Sequence, residues 1–339
     1  MKSVAILGAS GYAGGELIRL VDGHPDLHAV HLGGRSSAGK HLADVHPQLG
    51  GGGRPIATNE VENIPDIDVA FLALPHGASW EPALALLERG TAVIDLGSDF
   101  RLDTQERYLE AYGSAHPAAS ELGSWAFGIP ELFEKEIAGS DRVAVPGCYP
   151  TSALLPLGPP AAAGVIDVTG IVVDSMSGVS GAGRGAIDFG SVDQSVKAYK
   201  VLNHRHRPEM ERGLDTIAGG TSQLIFTPHL VPMQRGILTT IYARVSPGAS
   251  FADVVETLTT AYAPSRFVSL SDRDPETRWV VGSNNCMISL HFDARSNTIV
   301  MVSALDNLLK GAAGQAVQCA NVMLGFDEGT GLSVDGWMP

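Results

Sequence analysis

The chain has 339 residues, 44% of them hydrophobic, and its 37 acidic against 23 basic side chains give a formal charge of −14. Such a chain buries a large core, and its length favours two domains. The acidic balance, with no long polybasic block, excludes a nucleic-acid backbone as partner, and no apolar run approaches a membrane span. The run Val4–Leu7 is too short for a signal-peptide core and ends in a glycine loop, so a cytoplasmic protein is expected. Cys148, Cys286 and Cys319 lie far apart without a C-x-x-C pair, which signals neither a disulfide framework nor a zinc site. His204, His206 and Glu209 could in principle hold a metal, but two arginines lie among them and no cysteine is near, so no metal is expected.

Ser3–Leu7 reads as a buried strand, followed at once by Gly8-Ala9-Ser10-Gly11-Tyr12-Ala13-Gly14 and by Glu16–Val21 with helical apolar spacing. Strand, glycine turn and helix in this order suit a dinucleotide, because the turn lets backbone approach a pyrophosphate whose charge meets the helix N-terminus. Gly8, Ser10, Gly11, Tyr12 and Gly14 are therefore cofactor-binding candidates. The second strand, Leu27–Leu32, ends in Gly33-Gly34-Arg35-Ser36-Ser37 with Lys40 beyond, and no acid stands where a ribose-binding carboxylate would be. Arg35, Ser36, Ser37 and Lys40 can hold a 2′-phosphate instead, which points to NADP.

Asp68–Leu74 and Ala92–Leu96 read as central parallel strands, with helices over Ser79–Arg89 and Gln105–Tyr112 in the crossovers. Ligands in such sheets lie beyond the carboxyl ends of strands, where Pro75, His76, Ser98 and Arg101 fall. Gly128–Leu132 reads as a turn-rich connection to the strand Asp141–Val145. That strand delivers Pro146-Gly147-Cys148-Tyr149-Pro150, with a helix expected from about Thr151 and Pro150 in its first turn. A thiol at a helix N-terminus faces unpaired N–H groups and the positive end of the dipole, which favour the thiolate. Cys148 is the candidate nucleophile.

Ile171–Met176 opens the glycine-rich run Ser177-Gly178-Val179-Ser180-Gly181-Ala182-Gly183-Arg184-Gly185, which offers N–H groups and a guanidinium to an anion. Tyr199 to Glu209 is the densest polar cluster, and its two histidines, His204 and His206, stand two residues apart before a Pro-Glu helix start. At least one imidazole can meet Cys148, since Cys–His pairing activates a thiol and supplies an acid and base near neutrality. Strands are read over 222–226, 236–245, 267–270, 286–292 and 298–303, with a helix at Phe251–Ala261, giving a mixed or antiparallel sheet with one covered face. A last helix over Asp306–Leu324 stops at Gly325 and is expected to return to the first domain. The expected fold class is α/β. It has a Rossmann-type dinucleotide-binding domain at residues 1–147 plus 306–339 and a second α+β domain at 148–305, which is catalytic and oligomerising.

On these motifs the chain resembles the N-acetyl-γ-glutamyl-phosphate reductases, NADP-dependent acyl-phosphate reductases of arginine biosynthesis. The likeness rests on Gly8–Gly14, Gly97–Arg101, Pro146–Thr151, Ser177–Arg184, His204–Glu209 and Asp306–Gln315. Gly158-Pro159-Pro160 and Gly282-Ser283 depart from the family pattern without touching the chemistry. The resemblance implies that the Cys148 thiolate attacks an acyl phosphate and that NADPH reduces the resulting thioester. It favours His206 over His204 as acid and base, with His204 and Glu209 near the substrate. It assigns Arg101, Arg184 and Tyr199 to substrate or phosphate, and Pro75, Ser177, Gly178, Gly181 and Asn307 to the cofactor. It also implies a homo-oligomer, dimer or tetramer, acting on a small molecule. Aspartate-semialdehyde dehydrogenase, an N-acetyl-aminoadipyl-phosphate reductase and a non-catalytic NADP-binding redox sensor are the competing readings.

Overall fold

The computed structural model describes residues 1–184 and 192–337, so Gly185 of the glycine-rich run lies outside the described residues. The chain folds into two compact units. One comprises Met1–Gln105, Ala115–Pro146 and Ala312–Leu332; the other comprises Glu106–Ser114, Gly147–Gly311 and the chain from Ser333.

In chain order the first unit contains β1 (Lys2–Leu7), α1 (Tyr12–Asp22), β2 (Leu27–Gly33), α2 (Leu42–Val45), β3 (Val69–Leu72), α3 (Trp80–Glu88) and β4 (Ala92–Asp95). The helix α4 (Gln105–Tyr112) falls mainly in the second unit, and β5 (Ala126–Phe127), α5 (Pro130–Ala138) and β6 (Arg142–Ala144) complete the first sheet. Its six strands are all parallel, in the order β2-β1-β3-β4-β6-β5. The direction of winding reverses between β1 and β3, which is where such sheets open a ligand crevice. Parallel strands covered on both faces explain the nearly unbroken apolar runs of β1, β3 and β4. Between Phe127 and Arg142, where a turn-rich connection was expected, the chain forms α5. Pro130 at its first turn and Glu131 beside it are the start signals that the Gly128-Ile129-Pro130 turn reading overrode.

The second unit contains α6 (Cys148–Ala162), β7 (Thr169–Ser177), β8 (Lys197–Ala198), α7 (His206–Ala218), β9 (Gln223–Leu230), β10 (Ile237–Arg244), α8 (Phe251–Tyr262), β11 (Val268–Leu270), α9 (Thr277–Val280), β12 (Cys286–Asp293) and β13 (Thr298–Leu305). Its seven strands run β11-β12-β13-β10-β7-β9-β8 in a mixed sheet. One face is covered, with α6 packed on β10, β12 and β13 and flanked by α7 and α8. The other carries Met176, Ile225 and Tyr242 exposed.

Helix α6 begins at Cys148, three residues before the expected start, and tolerates three interior prolines, Pro156, Pro159 and Pro160. A proline orphans the carbonyl four residues earlier. The Ser152 carbonyl, orphaned by Pro156, accepts from Ser303 Oγ at 2.7 Å, and the Leu155 carbonyl, orphaned by Pro159, accepts from the Tyr262 hydroxyl. Tertiary hydroxyls thus replace two of the missing intrahelical bonds.

The last helical stretch is not one regular helix. A π turn spans Leu309–Ala313, in which Gly311 N–H donates to the Asp306 carbonyl at 2.9 Å, and α10 (Gly314–Leu324) follows and ends at Gly325 with φ +75°. Within the first unit α10 packs on α5, α1 and β4.

Asp95 at the end of β4 is fully buried, and it accepts from Ser79 Oγ at 2.8 Å and from Gly97 N–H at 2.7 Å. Burial pushes its carboxyl up to about 7 against the Ser79 hydrogen bond, and the nearby Asp99 acts in the same direction as burial. The folded protein therefore holds a proton that the unfolded chain releases near pH 4. The resulting stability is full below that pH and is lost as pH rises through about 7. Asp95→Asn should gain stability relative to the parent as pH is raised from about 4 to 8. Thermal unfolding across that range checks this; parallel curves for the two proteins would contradict it.

Candidate active site

Val145 N–H donates to the Asp95 carbonyl at 2.8 Å, and the chain then turns through Gly147, the extended N-cap of α6, to put Cys148 at the first helical position. The Gly147 N–H donates to Glu209 Oε2 at 2.9 Å, and Glu209 is fully buried. A Cβ at Gly147 would stand 2.4 Å from both Cε1 and Nε2 of His206, so the imidazole edge lies directly against the residue preceding the thiol. On another side, a Cβ at Gly311 in the π turn would reach Cys148 Cβ at 2.7 Å. No acid occupies the first turn of α6, and Cys148 stands at the positive end of its dipole.

His206 opens α7, and its Nε2 stands 4.0 Å from Glu209 Oε1. Its backbone N–H donates to Nδ1 of His204 at 3.1 Å, and the two rings cross at 75° with centroids 4.6 Å apart. Burial, and then the charges of Lys200 and Arg205, push His204 down to about 4. At neutral pH it is a neutral imidazole whose Nδ1 is an acceptor. Tyr149 meets both histidines edge-on, and its hydroxyl pairs with that of Tyr199 at 3.0 Å. Burial first, and the neighbouring Tyr199 next, raise Tyr149 well above the usual phenol range, so it stays protonated.

Cys148, Tyr149, Tyr199, His204 and His206 share a pocket of about 520 Å³ with Ser177, Gly178 and Gly181 of the glycine-rich run. That run is clamped by Asn307, whose Nδ2 donates to Ser180 Oγ at 3.0 Å while its Oδ1 accepts from Gly236 N–H at 2.7 Å. Asp306, fully buried, pairs with Arg235 at 3.0 Å and accepts from Gly282 N–H at 2.8 Å and Leu308 N–H at 2.8 Å. Arg184 is exposed next to this run, and its side chain is not among those lining the pocket.

In the first unit Gly8 has φ +82°, and a Cβ there would overlap the Ala73 carbonyl oxygen at 2.2 Å; Gly14 meets the Gly8 carbonyl as closely. Gly11 caps α1 without a side chain, and no acid lies in the first turn, so the positive end of the helix dipole meets no competing carboxylate there. Ser10 is partly exposed and Tyr12 exposed on this turn, and Pro75 is exposed beyond β3. This cradle fits a dinucleotide pyrophosphate. Beyond β2, Arg35, Ser36 and Lys40 are exposed and Ser37 is buried. Arg101 is 8% exposed and donates to the Leu96 carbonyl at 2.7 Å.

Sequence reasoning passed over Tyr149 and the cations Lys197, Lys200 and Arg205, which also line the pocket. The available signal was the density of positive charge over 197–207 in an acidic chain.

Two family models match the chain. "Semialdehyde dehydrogenase, NAD binding domain" matches residues 3–140, and "Semialdehyde dehydrogenase, dimerisation domain" matches 148–307. Solved structures agree in fold. Aspartate semialdehyde dehydrogenase II from Vibrio cholerae superposes with a TM-score of 0.74 at 20% identity, covering 96% of this chain and 98% of that one. The Candida albicans enzyme with NADP gives 0.71 at 18%, with the same coverage. Fold and site thus define a semialdehyde-dehydrogenase-type oxidoreductase. Sequence relatives narrow this further. N-acetyl-γ-glutamyl-phosphate reductases from Paenarthrobacter aurescens and Pelotomaculum thermopropionicum are 45% and 43% identical, each over 99% of both chains. The chain belongs to the N-acetyl-γ-glutamyl-phosphate reductase family.

Gly147→Ala should force its methyl into the His206 ring, costing about 1–3 kcal/mol and most of the activity. Gly220→Ala, where nothing lies within 4 Å, is the matched control. Chemical denaturation together with turnover compares the two; equal behaviour would mean that the imidazole does not lean on Gly147.

Proposed function

We propose that the protein reduces N-acetyl-γ-glutamyl phosphate to N-acetylglutamate γ-semialdehyde with NADPH, releasing phosphate, as a step of arginine biosynthesis. The observation that carries this is Cys148 at the N-terminus of α6, with the Gly147 N–H and the His206 imidazole both tied to Glu209. The sulfur attacks the acyl carbon, the bond from that carbon to the phosphate oxygen breaks, and a thioester with Cys148 remains. NADPH, when bound, supplies the hydride. His206 takes the thiol proton and returns it to the oxygen of the reduced carbon; the hemithioacetal then collapses, its C–S bond breaking as His206 takes the hydroxyl proton back, which frees the aldehyde and restores the sulfur as the thiolate.

His206 is the better acid and base because His204, held neutral with Nδ1 already accepting, cannot carry a proton near neutrality. Glu209 acts as a positioning group for both rather than as a substrate ligand. Tyr149 and Tyr199 serve as neutral donors to the substrate. Arg101 and Arg184 remain the phosphate candidates, with fork geometry suited to it. Gly8, Ser10, Gly11, Tyr12 and Gly14 would hold the pyrophosphate, and Arg35, Ser36, Ser37 and Lys40 the 2′-phosphate. Pro75 in the first unit, and Ser177, Gly178 and Gly181 in the second, remain cofactor candidates, with Asn307 holding the glycine-rich run in shape. The domain boundary we adopt falls at Cys148. The dimerisation-domain match and the exposed Met176, Ile225 and Tyr242 on the open face of the second sheet support a homo-oligomer formed through that face. An acyl phosphate substrate and NADPH suit a cytoplasmic enzyme.

The test is phosphate-dependent NADP reduction with N-acetylglutamate γ-semialdehyde, run beside aspartate semialdehyde and the aminoadipate homologue. Activity should favour the first, vanish in Cys148→Ala, fall roughly 10²–10⁴-fold in His206→Asn and much less in His204→Asn. Preference for another aldehyde, or equal losses at the two histidines, would overturn the corresponding assignment. Arg35→Ala should weaken NADPH binding about tenfold or more while leaving NADH nearly unchanged, measured by fluorescence titration; equal losses would remove the 2′-phosphate role.

A further inference from the structure

The rim of the active-site pocket differs in charge from the rest of the molecule. Lys197, Lys200, Arg205 and Arg207 fall within eleven residues that contain no acid, in a chain of net charge −14 with 23 basic residues in all. Three of them, Lys197, Lys200 and Arg205, line the pocket that holds Cys148, and all three are exposed while His204 and His206 beneath them are buried. Among the described residues these three have no ion-pair partner.

The segment carrying them is held in shape. Lys200 and Leu202 adopt left-handed backbone with φ of 48° and 62°, and Asn203 N–H closes the turn onto the Lys200 carbonyl at 2.9 Å. Such backbone persists only where its surroundings over-determine it, and it clusters at ligand clamps. Here Tyr199 supplies the anchor: its hydroxyl bonds to Tyr149, the neighbour of the thiol, and its N–H donates to the Pro228 carbonyl at 3.1 Å. A strained turn fixed beside the nucleophile thus presents ammonium groups over its pocket.

We propose that Lys197 and Lys200 form the subsite for the carboxylate that the substrate carries at the end remote from its acyl phosphate. This rests on the reaction proposed above. The reacting carbon must sit at the sulfur, on the pocket floor. The α-carboxylate, four C–C bonds further on, then reaches outward to the rim. Ammonium groups are point charges that suit a single carboxylate, whereas the phosphate is better served by guanidinium forks. The subsite makes the enzyme selective for acyl chains ending in an anion.

Steady-state NADP reduction tests this, with N-acetylglutamate γ-semialdehyde, phosphate and 4-acetamidobutanal, the same chain without the carboxylate, each varied in turn. The double variant Lys197→Gln/Lys200→Gln should raise KM for the carboxylated aldehyde about tenfold or more. KM for phosphate should hold, and the preference over 4-acetamidobutanal should shrink by the same factor. Lys197→Arg/Lys200→Arg should keep most of that preference. A rise in KM for phosphate instead, or unchanged constants for both substrates, would overturn the proposal. No wild-type turnover of the carboxylated aldehyde would overturn the functional reading itself, and the subsite with it.

Discussion

The buried carboxylate of Glu209 is the constraint on which the site depends. One oxygen accepts the Gly147 N–H, which helix geometry alone would leave unpaired, and the other stands 4.0 Å from His206 Nε2. A fully buried carboxylate needs such partners, because an unsatisfied buried polar group costs about 1–3 kcal/mol and a charge more. Satisfying it therefore locks the start of α6 to the start of α7. Thiol and imidazole come to neighbouring positions as a consequence of that lock, although His206 lies 58 positions after Cys148 in the chain.

A helix that begins at Cys148 and carries three interior prolines needs support along its length, and α6 finds it against its own composition. Its interior prolines remove intrahelical bonds. Ser303 and Tyr262 restore partners for two of the orphaned carbonyls from β13 and α8, while Ser152, Thr239 and Ser175 form a buried hydroxyl chain between helix and sheet. The helix is thereby fixed by tertiary bonds more than by propensity. On another side of Cys148 the buried π turn brings the backbone of Gly311 against it, and Asp306 ties that turn to Arg235 and Gly282.

Much of this was legible in the sequence because it rests on local patterns. Continuous apolar strands, the turn at Gly8 and the Pro-Gly-Cys junction each have a signal spanning a few residues, and they gave the parallel sheet and the helix-borne thiol. What escaped reading depends on distant partners. The start of α6 at Cys148 instead of Thr151 needs the Glu209 carboxylate to satisfy Gly147, and the π turn needs Asp306 and the proximity of Cys148. Helix α5 was overlooked for a different reason, since Pro130 serves equally as a turn residue and a helix start. The distinction between the histidines was also hidden: at a spacing of two, either could face the thiol. Burial and the adjacent cations separate them by lowering one.

The charge balance presents a last apparent conflict, since a protein of net charge −14 is assigned a substrate that is itself multiply anionic. Range resolves it. At physiological ionic strength charges more than about 8 Å apart are largely screened, so the acidic surface as a whole repels an approaching anion weakly. Inside the pocket the neighbouring charges dominate, and there they are Lys197, Lys200, Arg205 and the N-terminus of α6. Two unit charges 4 Å apart attract by about 4 kcal/mol at an effective dielectric of roughly 20, against about 1 kcal/mol in bulk water. A few cations on a partly enclosed rim therefore outweigh the excess of acids spread over the exterior. Burial first, and then Lys200 and Arg205, hold His204 neutral beneath that rim, so two of the groups suited to an anionic substrate also keep that imidazole uncharged.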